Sequence, residues 1–164
     1  MIMVDTDIRF LRCPTLDSLR HALHVYQEKY RHPTRPRLEC SDLYALFPEG
    51  LPSPAKKQWP DTWPYSERSG VYLIFSRTGK LLYVGKAWAI GSRLSTYFQY
   101  DSPRRESRTC KIVHDWRGDE QPFYVATVAV PTDSIFEAAA LEEFLIGELK
   151  PSENKTRLRE VVAS

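Results

Sequence analysis

Two short apolar runs, Val71–Phe75 and Leu81–Val84, stand on either side of the polar stretch Ser76-Arg77-Thr78-Gly79-Lys80. β-Branched, aromatic and aliphatic residues on both sides of a glycine-containing break predict a β-hairpin. If the loop is Ser76 to Gly79, Phe75 pairs with Lys80 and Tyr72 falls directly opposite Tyr83. Side chains alternate along a strand and cross-strand partners share a face. This register therefore expects two phenols side by side on one face of a sheet.

A chain of 164 residues suits one ordinary domain, with room for an appendage. The hydrophobic share of 42% is enough for a packed core. A net charge of +2 does not by itself mark a nucleic-acid binder, so such a role must rest on local patches. Cys13, Cys40 and Cys110 are odd in number and never form a CxxC pair. They argue against a disulfide framework or a cysteine zinc site and for a reducing, cytoplasmic setting. The first residues, Met1 to Asp7, are acidic and contain no long apolar run, so neither a secretory signal nor a membrane span is expected.

Leu16, Leu19, Leu23, Tyr26 and Tyr30 recur at spacings of three and four, which predicts an amphipathic helix with Thr15 as its cap. Asp42 to Phe47 reads as a further helical turn or two. Five prolines between Pro48 and Pro64, with Trp59 and Trp63 among them, predict an extended connector that packs on something. This places a boundary near residue 65, with a helical and Pro-rich extension over 1–65 and a second unit over 66–164. After the hairpin, Ile90, Leu94 and Phe98 form the buried stripe of a short helix from about Trp88 to Phe98. Arg93 and Tyr97, four residues apart, neighbour each other on its surface. Residues 104–117 read as another helix, with Arg104, Arg108 and Lys111 aligned and Arg105 and Arg117 flanking. Phe123 to Val130 is an apolar strand, and a last helix runs from about Ile135 to Leu149, stopped by Lys150-Pro151. The fold class is α/β (α+β): a small mixed sheet of three strands, flanked by helices.

The glutamates of the last helix separate by position. Glu137 follows Ser134 by three residues, the spacing of a capping box. Glu142 has Ala138, Ala139, Leu145 and Ile146 around it on the helix surface. A carboxylate on an apolar stripe costs several kcal/mol unless it is paired, protonated or metal-bound. An ion pair with an arginine and a metal site are equally compatible with that position.

Gly70-Val71-Tyr72, Tyr83-Val84-Gly85-Lys86-Ala87, Ser92 through Phe98, Glu137 through Ile146, and Lys150-Pro151 with Asn154 together resemble the GIY-YIG nuclease superfamily. The likeness is greatest to the N-terminal endonuclease domain of the bacterial nucleotide-excision-repair nuclease subunit. It covers about residues 68–155, with valine in place of isoleucine in both tripeptides and a longer segment between Tyr97 and Glu142. The resemblance implies a DNA endonuclease in which Glu142 is the single metal-binding carboxylate, for Mg²⁺ or Mn²⁺. It implies that Tyr72 and Tyr83 flank the attacking water, one as general base, and that Arg93 holds the scissile phosphate. Lys86 would tune a phenol or contact phosphate, and Tyr97 and Asn154 would complete the site by hydrogen bonding.

These residue types suit phosphodiester hydrolysis. A guanidinium matches phosphate geometry and keeps its charge, and one hard ion on one carboxylate retains most of its waters. A free phenol titrates near 10, so a base role calls for nearby positive charge. Arg104, Arg105, Arg108 and Lys111 are candidate contacts to the DNA backbone. Two further readings stay open: an inactive nucleic-acid-binding module on the same fold, and a protein partner, rather than intramolecular packing, on the apolar stripe of residues 16–30.

Overall fold

The computed structural model describes residues 14–46, 63–100, 110–112, 116 and 120–154. Helix α1 (Pro14–Tyr30) is followed by two short strands, β1 (Glu39–Cys40) and β2 (Tyr44–Ala45). The hairpin is β3 (Gly70–Ser76) and β4 (Leu81–Ala87), and α2 (Ile90–Tyr97) leads into β5 (Phe98–Tyr100). The remaining elements are β6 (Cys110–Ile112), β7 (Pro122–Ala129) and α3 (Glu137–Leu149). The fold class is as expected, a sheet flanked by helices. The sheet itself differs in two respects: every pairing is antiparallel, and five strands take part, in the order β1-β7-β3-β4 with β2 also on β7.

The added strands replace the helical turn expected over Asp42–Phe47. Tyr44 and Ala45 pair with Val125 and Tyr124, and the Leu46 amide donates to the Phe123 carbonyl at 2.8 Å. Ser41 bridges the two short strands, its amide donating to the Thr127 carbonyl and its hydroxyl accepting the Thr127 N–H. One isolated helical turn is costly to nucleate, whereas the edge of β7 offers ready-made partners. Phe47, Trp59 and most of the proline-rich stretch lie outside the described residues, and Trp63 is buried.

Hairpin register departs from expectation by two residues. Tyr72 pairs with Gly85 and Ile74 with Tyr83, and a register shift between Ile74 and Phe75 sets Phe75 against Leu81. The turn closes through the Gly79 amide to the Ser76 carbonyl, with Gly79 at φ 84°, a region open to glycine. The irregularity inserts an extra residue on the β4 side, as a bulge does. Because the slip is by two and not one, Tyr72 and Tyr83 still share a face, as diagonal rather than direct neighbours.

Each face of β3 builds its own core. Val71, Leu73 and Phe75 pack with Leu16, Leu19 and Leu23 of α1 and Leu141 and Leu145 of α3. Tyr72 and Ile74 pack on the other face with Ile90, Leu94, Phe98 and Trp63. The stripe of residues 16–30 thus packs within the chain through Leu16, Leu19, Leu23 and Tyr26. Tyr30 is exposed, with its ring edge-on to Phe144. Helix α1 begins at Pro14, which puts Thr15 in its first turn rather than at the cap.

Two further expectations change. Cys110–Ile112 is a strand paired with Phe98–Tyr100, not part of a helix over 104–117. Once Phe98 leaves α2 in extended conformation, the β-branched neighbourhood of Ile112 favours pairing with it. Glu137 does not complete a capping box, since α3 has no side-chain cap bond. Its carboxylate instead takes both Nε and Nη2 of the buried Arg31. Arg31 Nη1 also donates to Gln27 Oε1 at 2.8 Å and to the Pro36 carbonyl at 2.6 Å. A charge-assisted bidentate pair outcompetes a cap.

Candidate active site

Strand alternation brings Tyr72 and Tyr83 to one face, and α2 lays Arg93 and Tyr97 over it. The rings of Tyr72, Tyr83 and Tyr97 stand 5.8 to 6.4 Å apart, centroid to centroid. The Tyr72 hydroxyl donates to the Tyr97 oxygen at 3.1 Å. Arg93 hydrogen-bonds Tyr72, which raises the pKa of the guanidinium further, and its Cζ lies 6.0 Å from the Tyr97 ring centroid. Tyr72 is 1% exposed, whereas Tyr83 and Tyr97 are half-buried. Burial, then the bond donated to Tyr97, pushes the Tyr72 phenol far above its ordinary value of 10.0, and the bond from Arg93 pulls only weakly the other way. Tyr72 is therefore a protonated donor at any physiological pH.

That burial has a consequence for stability. A folded-state pKa raised above the unfolded one contributes stability that is complete below the unfolded value and is lost as pH rises. Tyr72 and Tyr26 are both raised by burial from 10.0, and Cys40 is pushed from 9.0 up to about 11. The urea midpoint is therefore expected to fall between pH 8 and pH 10.5. A midpoint that holds or rises over that range contradicts this assignment of buried neutral groups.

Gly85 makes the tyrosine wall possible. It faces Tyr72 across the ladder, and a Cβ there would lie 2.5 Å from Tyr72 Cζ and 2.7 Å from Tyr83 Cε1. Two ring atoms at such distances cannot both give way without moving both phenols. Gly85→Ala is expected to lower any activity of the site at least about 10²-fold, since small displacements of positioned groups cost that much. Steady-state rates set against the thermal midpoint separate this from unfolding. Trp116 closes the same wall, edge-on to Tyr83 at 6.1 Å and tilted against Tyr97 at 6.2 Å. Neither residue was singled out in the sequence as part of a site. Gly85 was legible as a glycine inside a strand run, a mark of close approach, but Trp116 carried no local signal.

Glu142 is 2% exposed and lies at the outer edge of β4. Its Oε1 accepts the Lys86 backbone N–H at 3.2 Å, and its Oε2 accepts the Lys86 ammonium at 2.7 Å. The cation beside it is a lysine, not the arginine considered from sequence. Asn154, also buried, works along the same edge. Its Oδ1 accepts the Val84 N–H and its Nδ2 donates to the Val84 carbonyl, both at 2.9 Å. The Glu153 amide donates to the Leu82 carbonyl at 2.8 Å. Residues 152–154 and Glu142 thus cover an edge strand that would otherwise offer unpaired backbone groups. Of the residues expected together, Tyr72, Tyr83, Arg93 and Tyr97 form one cluster, while Lys86, Glu142 and Asn154 meet along the edge of the same strand. Arg104, Arg105 and Arg108 lie outside the described residues, and Lys111 lies in β6, not on a helical stripe.

A family model described as the UvrC-like GIY-YIG domain matches residues 68–155. UvrABC system protein C from Dictyoglomus thermophilum is 35% identical over 90 residues, covering 55% of this chain and 13% of the relative. The protein of the same name from Wolinella succinogenes is 33% identical over 93 residues, and that from Hydrogenovibrio crunogenus 37% over 90. These alignments cover 54% of this chain in each case, and 14% and 13% of the relatives. The chain thus spans only a small fraction of the curated relatives it matches. No helix among the described residues is long and apolar enough to cross a membrane.

Proposed function

The chain belongs to the family of UvrC-like GIY-YIG domains, and on that premise we propose that it is a metal-dependent endonuclease hydrolysing DNA phosphodiester bonds. The observation that carries the reading is the cluster of three phenols and one guanidinium on a single sheet face, with a buried carboxylate at the edge of the same hairpin. Repair nicking and restriction cutting, in a cytoplasmic setting, are both uses that such an activity fits.

Glu142 fits an ion held mostly by water. It is a single carboxylate, and its ammonium partner Lys86 is 48% exposed and free to turn to solvent. Among the described residues no group of three His, Cys, Asp or Glu side chains stands ready to cage an ion. Mg²⁺ and Mn²⁺ suit such a site, magnesium in particular keeping several waters when bound through one carboxylate. Bound on Glu142, the ion would supply Lewis-acid stabilisation of charge on the phosphate. Arg93 holds the scissile phosphate through its planar donors and offsets charge developing on it. Tyr83, less buried than Tyr72, takes the proton of the attacking water as its phenolate, the form that the nearby Arg93 guanidinium favours, and becomes the neutral phenol. Tyr72 keeps its proton and orients Arg93 and Tyr97. Lys86 holds Glu142 in place until substrate arrives, and Asn154 fixes the strand that carries Tyr83. Arg104, Arg105, Arg108 and Lys111 contact backbone phosphates, so their removal lowers the salt dependence of DNA binding by about one unit of slope each.

The two tyrosines separate the roles. Tyr83→Phe is expected to lower kcat by about 10²- to 10⁴-fold, the range for removing a general base. Tyr72→Phe is expected to lower it by a smaller factor, because a protonated donor is lost and not the base. Single-turnover rates on an oligonucleotide that carries both duplex and single-stranded stretches measure both, and the reverse order would exchange the assignment. The alternative, an inactive nucleic-acid-binding module, draws on the Lys86 ammonium already occupying Glu142. A rise in thermal midpoint with Mn²⁺ that disappears in Glu142→Gln supports the enzyme, and no rise in the parent chain supports the module.

A further inference from the structure

Most large apolar side chains among the described residues are buried, but Trp88 and Phe136 are 74% and 75% exposed, and Ile135 is 40% exposed. Trp88 directly follows β4, and Ile135 and Phe136 directly precede α3. The buried Ser69 hydroxyl brings these two places together, lying 3.1 Å from the Ala87 carbonyl and 3.4 Å from the Ile135 carbonyl. The backbone positions next to an exposed indole and an exposed phenyl ring are therefore held near each other at one end of the sheet. The patch adjoins the candidate active site along the chain. Trp88 lies two residues beyond Lys86, and Phe136 opens the helix that carries Glu142.

We propose that Trp88 and Phe136 form a stacking platform for unpaired nucleobases next to the cleavage centre, so that the substrate class is DNA with a single-stranded stretch. This rests on the nuclease reading given above. DNA whose phosphate reaches Glu142 lies beside its partner Lys86, and Trp88 is two residues further along the chain. In a duplex the base faces are already stacked on one another. In a single strand they are exposed, and every base has a flat apolar face that an indole or phenyl ring accepts regardless of sequence. Lys86, half-exposed beside the patch, supplies the positive charge that the backbone between such bases requires.

Binding in the absence of metal tests the platform apart from catalysis. Fluorescence anisotropy with the full chain in EDTA compares a labelled oligonucleotide as a single strand and annealed to its complement. Each aromatic replaced by alanine is expected to weaken single-strand binding by roughly 10-fold, at the lower part of the range for one stacked base. Trp88→Ala with Phe136→Ala is expected to weaken it by about 10²-fold, with duplex binding within twofold of the parent and an unchanged thermal midpoint. Trp88→Phe is expected to retain most of the affinity. Equal losses on both substrates, no loss on the single strand, or no single-strand binding by the parent chain overturns the platform. So does a dimer in sedimentation that Trp88→Ala dissociates, which would make the patch a self-interface. A chain that cuts DNA yet binds single strands equally well without these rings defeats the platform alone. A chain that cuts nothing yet loses single-strand affinity as described defeats the nuclease reading alone.

Discussion

Glu142→Ala is expected to lower DNA cleavage by at least about 10³-fold while leaving DNA affinity within a few-fold of the parent. The rate loss corresponds to about 4 kcal/mol of transition-state stabilisation, the scale on which a Lewis-acid ion acts. The structure explains why the variant still folds. The partner charge, Lys86, is 48% exposed and turns to water once the carboxylate is gone. What remains is a backbone N–H of β4 without its acceptor, a cost of about 1–3 kcal/mol. Glu142→Gln keeps an oxygen for that N–H but not the charge, and is expected to be equally inactive and closer to parental stability. Rates, oligonucleotide affinity and urea midpoints on both variants check this. Turnover within tenfold of the parent in Glu142→Gln would remove the metal role from this residue.

Arg31→Ala carries the largest expected effect on stability, a loss of about 3–5 kcal/mol, because it strands the Glu137 carboxylate in a nearly closed site. The guanidinium also satisfies Gln27 Oε1 and the Pro36 carbonyl, so the end of α1, the following loop and the start of α3 come apart together. Removing both charges, as Arg31→Met with Glu137→Leu, is expected to recover much of the loss, since no uncompensated buried charge is left. Urea denaturation of the two singles and the double forms a thermodynamic cycle. A loss below 1 kcal/mol in Arg31→Ala would show that water already reaches the pair.

Local pattern revealed what depends on local pattern. The apolar runs Val71–Phe75 and Leu81–Val84 and the three-and-four spacing of Leu16 to Tyr26 name the hairpin and the helix that form much of the core. The apolar surroundings of Glu142 signalled a buried carboxylate with a special partner, and burial with a cationic partner is what the structure shows. Apart from the hairpin register and the Thr15 cap, the misreadings involve partners outside any local window of sequence. A bulge near the turn reset the hairpin register by two residues. The edge of β7 drew residues 44–45 into the sheet, pairing Tyr44 with Val125 and Ala45 with Tyr124, 81 and 79 positions away. Arg31 reached Glu137 across 106 positions and displaced a cap that spacing alone had suggested. Trp116 joined the tyrosine wall by tertiary packing, which no window of sequence contains.

Cleavage of supercoiled plasmid by the purified chain in Mg²⁺, compared with EDTA, bears most directly on the central claim. The account predicts nicked and then linear DNA in Mg²⁺ or Mn²⁺, none in EDTA, and none with Arg93→Ala. Undiminished cutting in EDTA, or intact plasmid and intact single strands with either metal, would contradict it.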